Sequence, residues 1–436
     1  MLMMRKTFKQ EFLVFNYQRK KIIQSITDKT MGCNATKDLN PNAARGYLLE
    51  NFSRHRGGIN CMSINEDKTM LVTGGEDYTA KLWTVDPVAF LGTLDGHSSY
   101  VLCCVFHGIY VFTGSADKTV RKWNVKNRQC MFIYEGHEMT VTRIVCTPCE
   151  VLISTSQDGT ARAWDALADS GTVIKKACLQ VFKGHLKSIY SIIFIPDEEN
   201  PLMGKTIYDG DVVITGSTDF TARSWSLKTG EMLKIFGSHR KNKHKGPINC
   251  MAVDGEAKKL FTGSADSTIK CWDIETAECL RELKGHTAAV MHLLVHNRIL
   301  YSAGVDKLAM AWIIEIGEIS KIYHGNGETI SCLKYHNGYV YTACTQVRMY
   351  KAKTKECKRV FKGHSHTITA MEVTEDKLFT VSADGSLRIW DTTGVLDEDV
   401  TYEEQLSANE AKENGMQPLQ KPPNENDSRL EDFYNV

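Results

Sequence analysis

Short runs of β-branched and aromatic residues recur along the chain from about residue 47 to residue 391, and clusters of turn-forming residues separate them. One stretch contains the runs Val111 to Thr113, Thr119 to Trp123 and Met131 to Tyr134, with a Ser-Ala-Asp-Lys turn between the first two. Runs of this length and composition predict β-strands. Because no long helical periodicity interrupts them, the sequence predicts an all-β core with about four short strands in each repeat.

The seven tryptophans mark a sequence repeat. An Asp stands six residues before every Trp, and a Ser or Thr stands four residues before every such Asp. The tryptophans are Trp83, Trp123, Trp164, Trp225, Trp272, Trp312 and Trp390. The gap of 78 residues between the last two is two repeats long, and Tyr350 near its middle marks an eighth, degenerate unit. Units of about 40 residues bury little surface alone, so radial stacking into one continuous core is expected.

The composition is that of an ordinary globular protein, with 42% hydrophobic residues, 24% charged residues and a net charge of +1. The near-zero charge argues against a dedicated nucleic-acid-binding protein. No apolar run has the length of a membrane span. The first 30 residues lack a secretory pattern, so we expect a cytoplasmic protein whose 14 cysteines are reduced thiols.

Two further motifs carry a family resemblance. Gly-His pairs begin units at Gly96, Gly136, Gly184, Gly285 and Gly363, and Trp-Asp pairs end units at Trp164, Trp272 and Trp390. On these motifs the chain resembles the WD-repeat (WD40-type) β-propellers over roughly residues 47 to 391. The resemblance implies a β-propeller of eight four-stranded blades, or of seven if the Tyr350 unit is irregular.

The ring of blades needs one more outer strand. In the WD-repeat family, the strand after each Trp is the outer strand of that blade, but the chain turns acidic after Trp390 and Asp391. The segment from Tyr47 to Phe52 instead precedes His55 as outer strands precede a Gly-His pair elsewhere. We therefore predict that this N-terminal strand closes the ring. The expected domains are then a basic disordered extension (residues 1–46), the propeller (47–391) and an acidic disordered tail (392–436).

The resemblance also implies a buried hydrogen-bonded chain of His, Ser or Thr, Asp and Trp in each complete unit. Two such sets are His97, Thr113, Asp117 and Trp123, and His137, Ser154, Asp158 and Trp164. A Ser-His-Asp trio invites a hydrolase interpretation, but an active site occurs once in a cleft, whereas this trio recurs in nearly every unit. We assign the trio a structural role and predict no catalytic residues, so an enzyme with a site at the channel mouth is a minor alternative.

Binding in this family normally uses the face whose loops carry the motif His and Asp. The candidate binding residues on that face are Arg56, Glu76, Tyr100, Glu138, Gln157, Lys187, Lys245 and His366. Their mixed charge favours a polar recognition surface for a protein or a peptide. We expect a monomeric, non-enzymatic interaction scaffold without a cofactor. No metal site is expected either, since Cys146 and Cys149 form a lone pair of thiols that cannot fill a tetrahedral zinc site.

The alternative function is a substrate-receptor subunit of a ubiquitin ligase. Propellers that read phosphopeptides in such ligases use arginines before the repeat Asp and at five residues beyond the motif His. None of those positions holds an Arg in this chain. Without guanidinium groups the bidentate recognition of phosphate loses its usual chemistry, so the scaffold is preferred.

A basic loop interrupts the fifth unit, where counting from Trp225 selects His239 as the motif His and counting back from Asp266 selects His244. The segment from His239 to Lys245 contains three further cations, which are Arg240, Lys241 and Lys243. Such a loop attracts acidic partners, phosphate or nucleic acid. A solvated loop without a ligand is the simpler interpretation, because aromatic residues for base stacking do not alternate with the cations.

A lipidation motif lies ahead of the propeller. Residues 31 to 37 fit the Met-Gly-x-x-x-Ser/Thr pattern for N-myristoylation, with Gly32 as the acceptor and Cys33 positioned for palmitoylation. The chemistry needs Gly32 at the mature N-terminus, so the hypothesis requires translation to start at Met31. Two acyl chains would anchor the protein stably at a cytoplasmic membrane surface.

Overall fold

The computed structural model describes residues 47–169, 177–197 and 210–394, which form 32 strands in eight antiparallel sheets of four strands each. The first strand of every sheet contacts the first strands of both neighbouring sheets, and this chain of contacts closes on itself. The described chain is therefore an eight-bladed β-propeller. This confirms the all-β class and the prediction of eight blades rather than seven. Gly32 and Cys33 lie outside the described residues, as does the acidic tail beyond residue 394.

The strands of blades 1 to 4 are given from the innermost to the outermost. Blade 1 contains β2 (Ile59–Ile64), β3 (Met70–Gly75), β4 (Ala80–Val85) and β5 (Val88–Leu94). Blade 2 contains β6 (Val101–His107), β7 (Tyr110–Ser115), β8 (Val120–Asn124) and β9 (Cys130–Tyr134). Blade 3 contains β10 (Val141–Cys146), β11 (Val151–Ser156), β12 (Thr160–Asp165) and β13 (Cys178–Lys183). Blade 4 contains β14 (Ile189–Ile195), β15 (Val212–Ser217), β16 (Ala222–Ser226) and β17 (Met232–Phe236).

Blades 5 to 8 follow in the same order. Blade 5 contains β18 (Ile248–Val253), β19 (Lys259–Ser264), β20 (Thr268–Asp273) and β21 (Cys279–Lys284). Blade 6 contains β22 (Val290–His296), β23 (Ile299–Gly304), β24 (Ala309–Ile313) and β25 (Glu318–Tyr323). Blade 7 contains β26 (Cys332–His336), β27 (Tyr339–Ala343), β28 (Val347–Lys351) and β29 (Cys357–Phe361). Blade 8 contains β30 (Ile368–Val373), β31 (Lys377–Ser382), β32 (Leu387–Asp391) and β1 (Leu48–Phe52).

The strand β1 closes the ring, as predicted. It pairs antiparallel with β32, with Leu48 opposite Trp390 and Phe52 opposite Leu387. Phe52 also packs in the apolar cluster that joins blades 8 and 1. The first and last strands of the propeller thus complete one sheet, and the last blade has no missing outer strand. Tyr47 and Asp391, whose backbone groups form a 2.8 Å hydrogen bond, lie on the face opposite the loops that carry the motif His and Asp.

The core is divided into apolar clusters, several of which join one blade to the next. All seven tryptophans are buried, with relative exposures of 0 to 2%. Each lies on the third strand of its blade. The alternation of side chains along that strand directs the Trp to the same face of the sheet as the neighbouring apolar residues. Burying such large side chains between sheets provides much of the hydrophobic stabilisation of the ring.

Polar side chains near the start of the innermost strand link blades at five of the eight junctions. Each donates a hydrogen bond to a backbone carbonyl at the start of the next blade's innermost segment. The pairs are Asn60 with Val101, Thr142 with Ile189, Asn249 with Val290, Ser331 with Ile368, and Thr369 with Ile59. The last pair joins blade 8 to blade 1, so it supplements the closure made by β1.

Blade 7, the degenerate unit, forms a complete four-stranded sheet. Tyr350 takes the place of the Trp, is 1% exposed, and donates its hydroxyl to the carbonyl of His324 over 2.6 Å. Asn326 is buried where the other units place the His, and its Oδ1 accepts a 2.9 Å hydrogen bond from Thr342. In this blade the neutral amide side chain of Asn326 therefore takes the place of the ionisable His-Asp pair.

Candidate functional site

The recurring polar set of each blade is a continuous hydrogen-bonded chain. In blade 2, the indole Nε1 of Trp123 donates to Oγ1 of Thr113 over 2.8 Å, and that hydroxyl lies 2.8 Å from Nε2 of His97. Nδ1 of His97 lies 2.6 Å from a carboxylate oxygen of Asp117. The chain runs from the buried blade interior to the loop surface, so every buried donor in it has an acceptor.

The hydrogen bonds assign an ionised Asp to this tetrad. The Thr113 hydroxyl accepts from the indole, and Nδ1–H of His97 donates to Asp117. Burial opposes ionisation of Asp117, but the hydrogen bonds that it accepts from His97 and Thr119 outweigh this cost. They hold the pKa of Asp117 well below its ordinary value.

The same arrangement occurs in seven blades. The sets are His55-Thr73-Asp77-Trp83, His97-Thr113-Asp117-Trp123, His137-Ser154-Asp158-Trp164, His185-Thr215-Asp219-Trp225, His244-Thr262-Asp266-Trp272, His286-Ser302-Asp306-Trp312 and His364-Thr380-Asp384-Trp390. In blade 3 the Ser154 side chain is fully buried and already accepts from Trp164. A hydroxyl so placed has no access to a substrate, which supports a structural role over a hydrolytic one.

The tetrad Asp also fixes the loops of one face. In blade 1 the backbone N–H of Arg56 donates to Asp77, in blade 3 that of Glu138 donates to Asp158, and in blade 5 that of Lys245 donates to Asp266. We name this face, formed by the connections that carry the tetrad His and Asp, the top face. The tetrads therefore hold the top-face backbone rigid while the side chains of these three residues remain exposed.

The structure places all eight candidate binding residues on the top face. Arg56, Glu76, Tyr100, Glu138, Lys187, Lys245 and His366 are exposed, and Gln157 is half-buried. Three of the side chains are positioned by neighbours. The Tyr100 ring lies 5.6 Å from that of Tyr78, Gln157 donates to the hydroxyl of Tyr190, and Glu76 accepts from the backbone of Gly58.

The fifth unit uses His244 rather than His239 as its tetrad His. Its Nδ1 lies 2.9 Å from Asp266 and its Nε2 lies 2.8 Å from Thr262. The extra residues therefore precede the tetrad His. His239, Arg240 and Lys241 are exposed, and the backbone carbonyl of His239 accepts two hydrogen bonds that fold the loop back on itself.

Arg143 is a cation near the top face that occupies neither of the positions counted in the sequence analysis, which are the residue before the motif Asp and the fifth residue beyond the motif His. It lies on the innermost strand β10, opposite Thr155 of β11, three residues before Asp158. The side chain is exposed and forms no hydrogen bond or ion pair with the described residues. Burial lowers the pKa of His292 to about 4, and the Arg143 charge adds to this effect from across the ring. Arg143 is therefore an exposed cation on the innermost strand of blade 3, close to the end of that strand at the top face.

The described residues contain no group of three or more His, Cys, Asp or Glu side chains that could hold a metal ion. Cys149 lies near Asp211, and the Cys146 thiol contacts the backbone of Thr147. Among the described residues, no helix has the length and apolarity needed to cross a membrane.

A family model, the WD domain or G-beta repeat, matches seven segments of the chain. They are residues 46–84, 89–124, 128–165, 176–226, 231–273, 277–312 and 355–391. The chain belongs to the WD40-repeat family. Each match covers the three inner strands of a blade with a complete tetrad, together with the outer strand of the preceding blade. The unmatched stretch between residues 312 and 355 contains β26, β27 and β28, the three inner strands of blade 7.

Related proteins match only in part. The chain is 27% identical over 244 residues to mitochondrial division protein 1 of Schizosaccharomyces pombe, which covers 51% of this chain and 36% of that protein. It is 29% identical over 154 residues to nuclear distribution protein nudF of Aspergillus niger, covering 30% of this chain and 34% of that protein. The chain thus spans about a third of the length of these relatives.

Two solved structures share the architecture. The computationally designed protein Ika8 superposes with a TM-score of 0.68 at 25% identity, covering 79% of this chain and all of that chain. The structure of Saccharomyces cerevisiae Sqt1 superposes with a TM-score of 0.71 at 15% identity, covering 80% of this chain and 99% of that chain. The likeness to Sqt1 concerns the fold alone.

Proposed function

We propose that this WD40 propeller is a non-enzymatic scaffold that binds proteins or peptides on its top face, as WD40 propellers generally mediate protein interactions. One observation carries the proposal. The tetrad carboxylates fix the backbone of the top-face loops, and charged and aromatic side chains project from that rigid frame. A preorganised surface loses little conformational entropy on binding. We also propose, from the order of the units alone, a likeness to WD repeat-containing protein 86, which adds no activity to the scaffold.

The test compares the partners of matched variants of the full chain in cells. The top-face variant combines Tyr100→Ala, Lys187→Glu and Lys245→Glu. Its control combines Ile109→Ala, Lys126→Glu and Lys353→Glu, which lie in exposed turns on the opposite face and change the charge equally. Tyr100 and Ile109 are also similarly exposed, at 46% and 48%.

Quantitative affinity purification should recover a reproducible set of partners with the wild-type chain and with the opposite-face control. The top-face variant should lose most of that set while keeping the wild-type melting temperature. Equal partner recovery by the two variants would contradict the proposal, because it would show that the top face is not the binding surface.

A membrane tether is a separate part of the proposal. Acylation at Gly32 and Cys33 would lie only about 15 residues before β1, which starts on the face opposite the top face. The anchor would therefore tether the propeller through a segment that joins it on the face opposite the top face. Mass spectrometry of the N-terminal peptide from cells should find acylated Gly32. An intact start at Met1 would contradict the anchor and leave the scaffold proposal standing.

One observation favours the second candidate, a substrate receptor of a ubiquitin ligase. Arg143, on the innermost strand of blade 3, carries an exposed guanidinium that has no partner among the described residues, although the positions counted in the sequence analysis hold no Arg. A guanidinium can bind the carboxylate or phosphate of a substrate peptide in bidentate geometry. Co-purification of ligase subunits with the wild-type chain would support this candidate, and their absence from the recovered partners would contradict it.

A further inference from the structure

An aromatic ring flanked by two lysines lies on the top face at the junction of blades 4 and 5. The ammonium of Lys187 is 5.6 Å from the centre of the Phe220 ring, and that of Lys243 is 5.7 Å from it. Leu186 lies beside them with a relative exposure of 85%, and its backbone N–H donates to Asp219. We name these four residues, Leu186, Lys187, Phe220 and Lys243, the Phe220 patch.

Three top-face connections meet in the Phe220 patch. Leu186 and Lys187 come from the loop before β14, Phe220 from the turn before β16, and Lys243 from the inserted loop before β18. The insertion approaches blade 4 closely, since a side chain added at Gly237 would contact both Lys243 and the carbonyl of Phe220. The extra residues of the fifth unit therefore bring a second cation to the Phe220 ring.

The patch has a positive charge that no described carboxylate nearby neutralises. The top-face connections of blades 4 and 5, all of which the structure describes, carry five cations, which are Lys187, Arg240, Lys241, Lys243 and Lys245. Their only carboxylates are Asp219 and Asp266, and each is bound to the His of its tetrad. Neither ammonium of the Phe220 patch has a carboxylate partner among the described residues. Two like charges held at one ring create a site of positive potential.

We propose that the Phe220 patch binds an acidic segment of a partner polypeptide, with Asp or Glu carboxylates on Lys187 and Lys243 and an apolar side chain on Leu186. This inference rests on the proposed top-face function and specifies the partner's chemistry. The ring helps to hold both ammoniums in place, which reduces the entropy lost when carboxylates bind. The ammoniums that flank the ring also obstruct base stacking, and a net charge of +1 gives no general attraction to nucleic acid. A peptide therefore fits better than RNA or DNA.

The experiment selects peptides from a random dodecamer display library on the full chain. The selected peptides should be enriched in Asp and Glu next to Leu, Ile or Phe. Their affinity for a Lys187→Glu, Lys243→Glu double variant should fall roughly 10-fold or more, and added salt should weaken binding to the wild type. The control is Lys126→Glu with Lys353→Glu, which reverses the same number of charges on the opposite face and should bind as the wild type does.

A third variant tests the ring itself. Phe220→Leu keeps every charge but removes the cation–π contacts, so we expect binding to weaken about 3- to 10-fold. All variants should keep the wild-type melting temperature, because the substituted side chains lie outside the tetrads.

The outcomes separate this inference from the function on which it rests. Selected peptides without acidic enrichment, or acidic peptides that bind the double variant equally well, would overturn the Phe220 patch while leaving top-face binding intact. A single-stranded RNA dodecamer that binds the patch more tightly than the peptides would also overturn it. A failure to select any peptide that the triple top-face variant loses would count against the proposed function itself.

Discussion

The substitution Asp117→Ala tests the structural role of the tetrads. Asp117 accepts four hydrogen bonds, from Nδ1 of His97, the backbone N–H groups of Ser98 and Thr119, and the hydroxyl of Thr119. The Asp117 and His97 side chains are only 5% and 1% exposed, so water cannot easily replace the bond between them. Hydrogen bonds to a charged group contribute about 1.5–3 kcal/mol each, and a buried donor left unpaired costs about 1–3 kcal/mol.

These contributions do not add fully, because the two groups from Thr119 and the N–H of Ser98 can reach water after the substitution. We therefore expect a loss of about 3–5 kcal/mol in the free energy of unfolding. A propeller of roughly 345 residues has an unfolding entropy of about 0.7 kcal/mol/K, so the melting temperature should fall by about 4–7 °C.

The assay is differential scanning calorimetry of the full chain, with Lys118→Ala as the control. Lys118 is exposed in the same turn and belongs to no tetrad, so its substitution should change the melting temperature by less than about 1 °C. An Asp117→Ala variant that melts within 1 °C of the wild type would refute the reasoning. It would show that the tetrad does not stabilise the ring.

Three further predictions follow from the fold. Deleting residues 48–52 should lower the melting temperature of the whole propeller, because β32 loses its partner, and a wild-type calorimetric transition would contradict this closure. Thr369→Val removes the bond to the Ile59 carbonyl and should cost about 1–2 kcal/mol in urea unfolding, whereas Thr369→Ser should remain close to the wild type. The folded-state pKa of each tetrad Asp lies below its unfolded value, so this stabilisation is present above about pH 4 and is lost as the pH falls. Calorimetry between pH 5 and pH 2 should therefore show a falling melting temperature, and a constant value would contradict the ionised state of these groups.

The architecture could be predicted because its signals are periodic. The fixed sequence distances among Ser or Thr, Asp and Trp repeat in seven units. The sequence after Trp390 offers no outer strand for blade 8, so the strand-like residues 47–52 could be assigned to that position. Blade 7 was recognisable from the position of Tyr350, but the role of Asn326 was not. Gly325 and Asn326 take the positions of the Gly-His pair, and Asn326 precedes Thr342 by the same 16 residues that separate His97 from Thr113. The adjacent His324 hides this match, because the order His324-Gly325 looks like a reversed motif.

The surface residues were harder to predict, because their positions depend on backbone irregularities. Counting five residues from His137 ends at Thr142, one residue before Arg143, in a strand whose pairing shifts between Val141 and Arg143. Thr142 instead donates a hydrogen bond to blade 4. The approach of Lys243 to Phe220 likewise depends on the path of an inserted loop, which residue spacing does not encode.

The central claim is that partners bind the top face, and cross-linking mass spectrometry of the full chain with its most enriched partner tests it most directly. Exposed lysines on both faces serve as reporters in one sample. The top-face reporters are Lys118, Lys187, Lys245 and Lys307, and the opposite-face reporters are Lys68, Lys126, Lys258 and Lys353. We predict that cross-links to the partner come from the top-face group. Cross-links that come only from the opposite-face group would contradict the account.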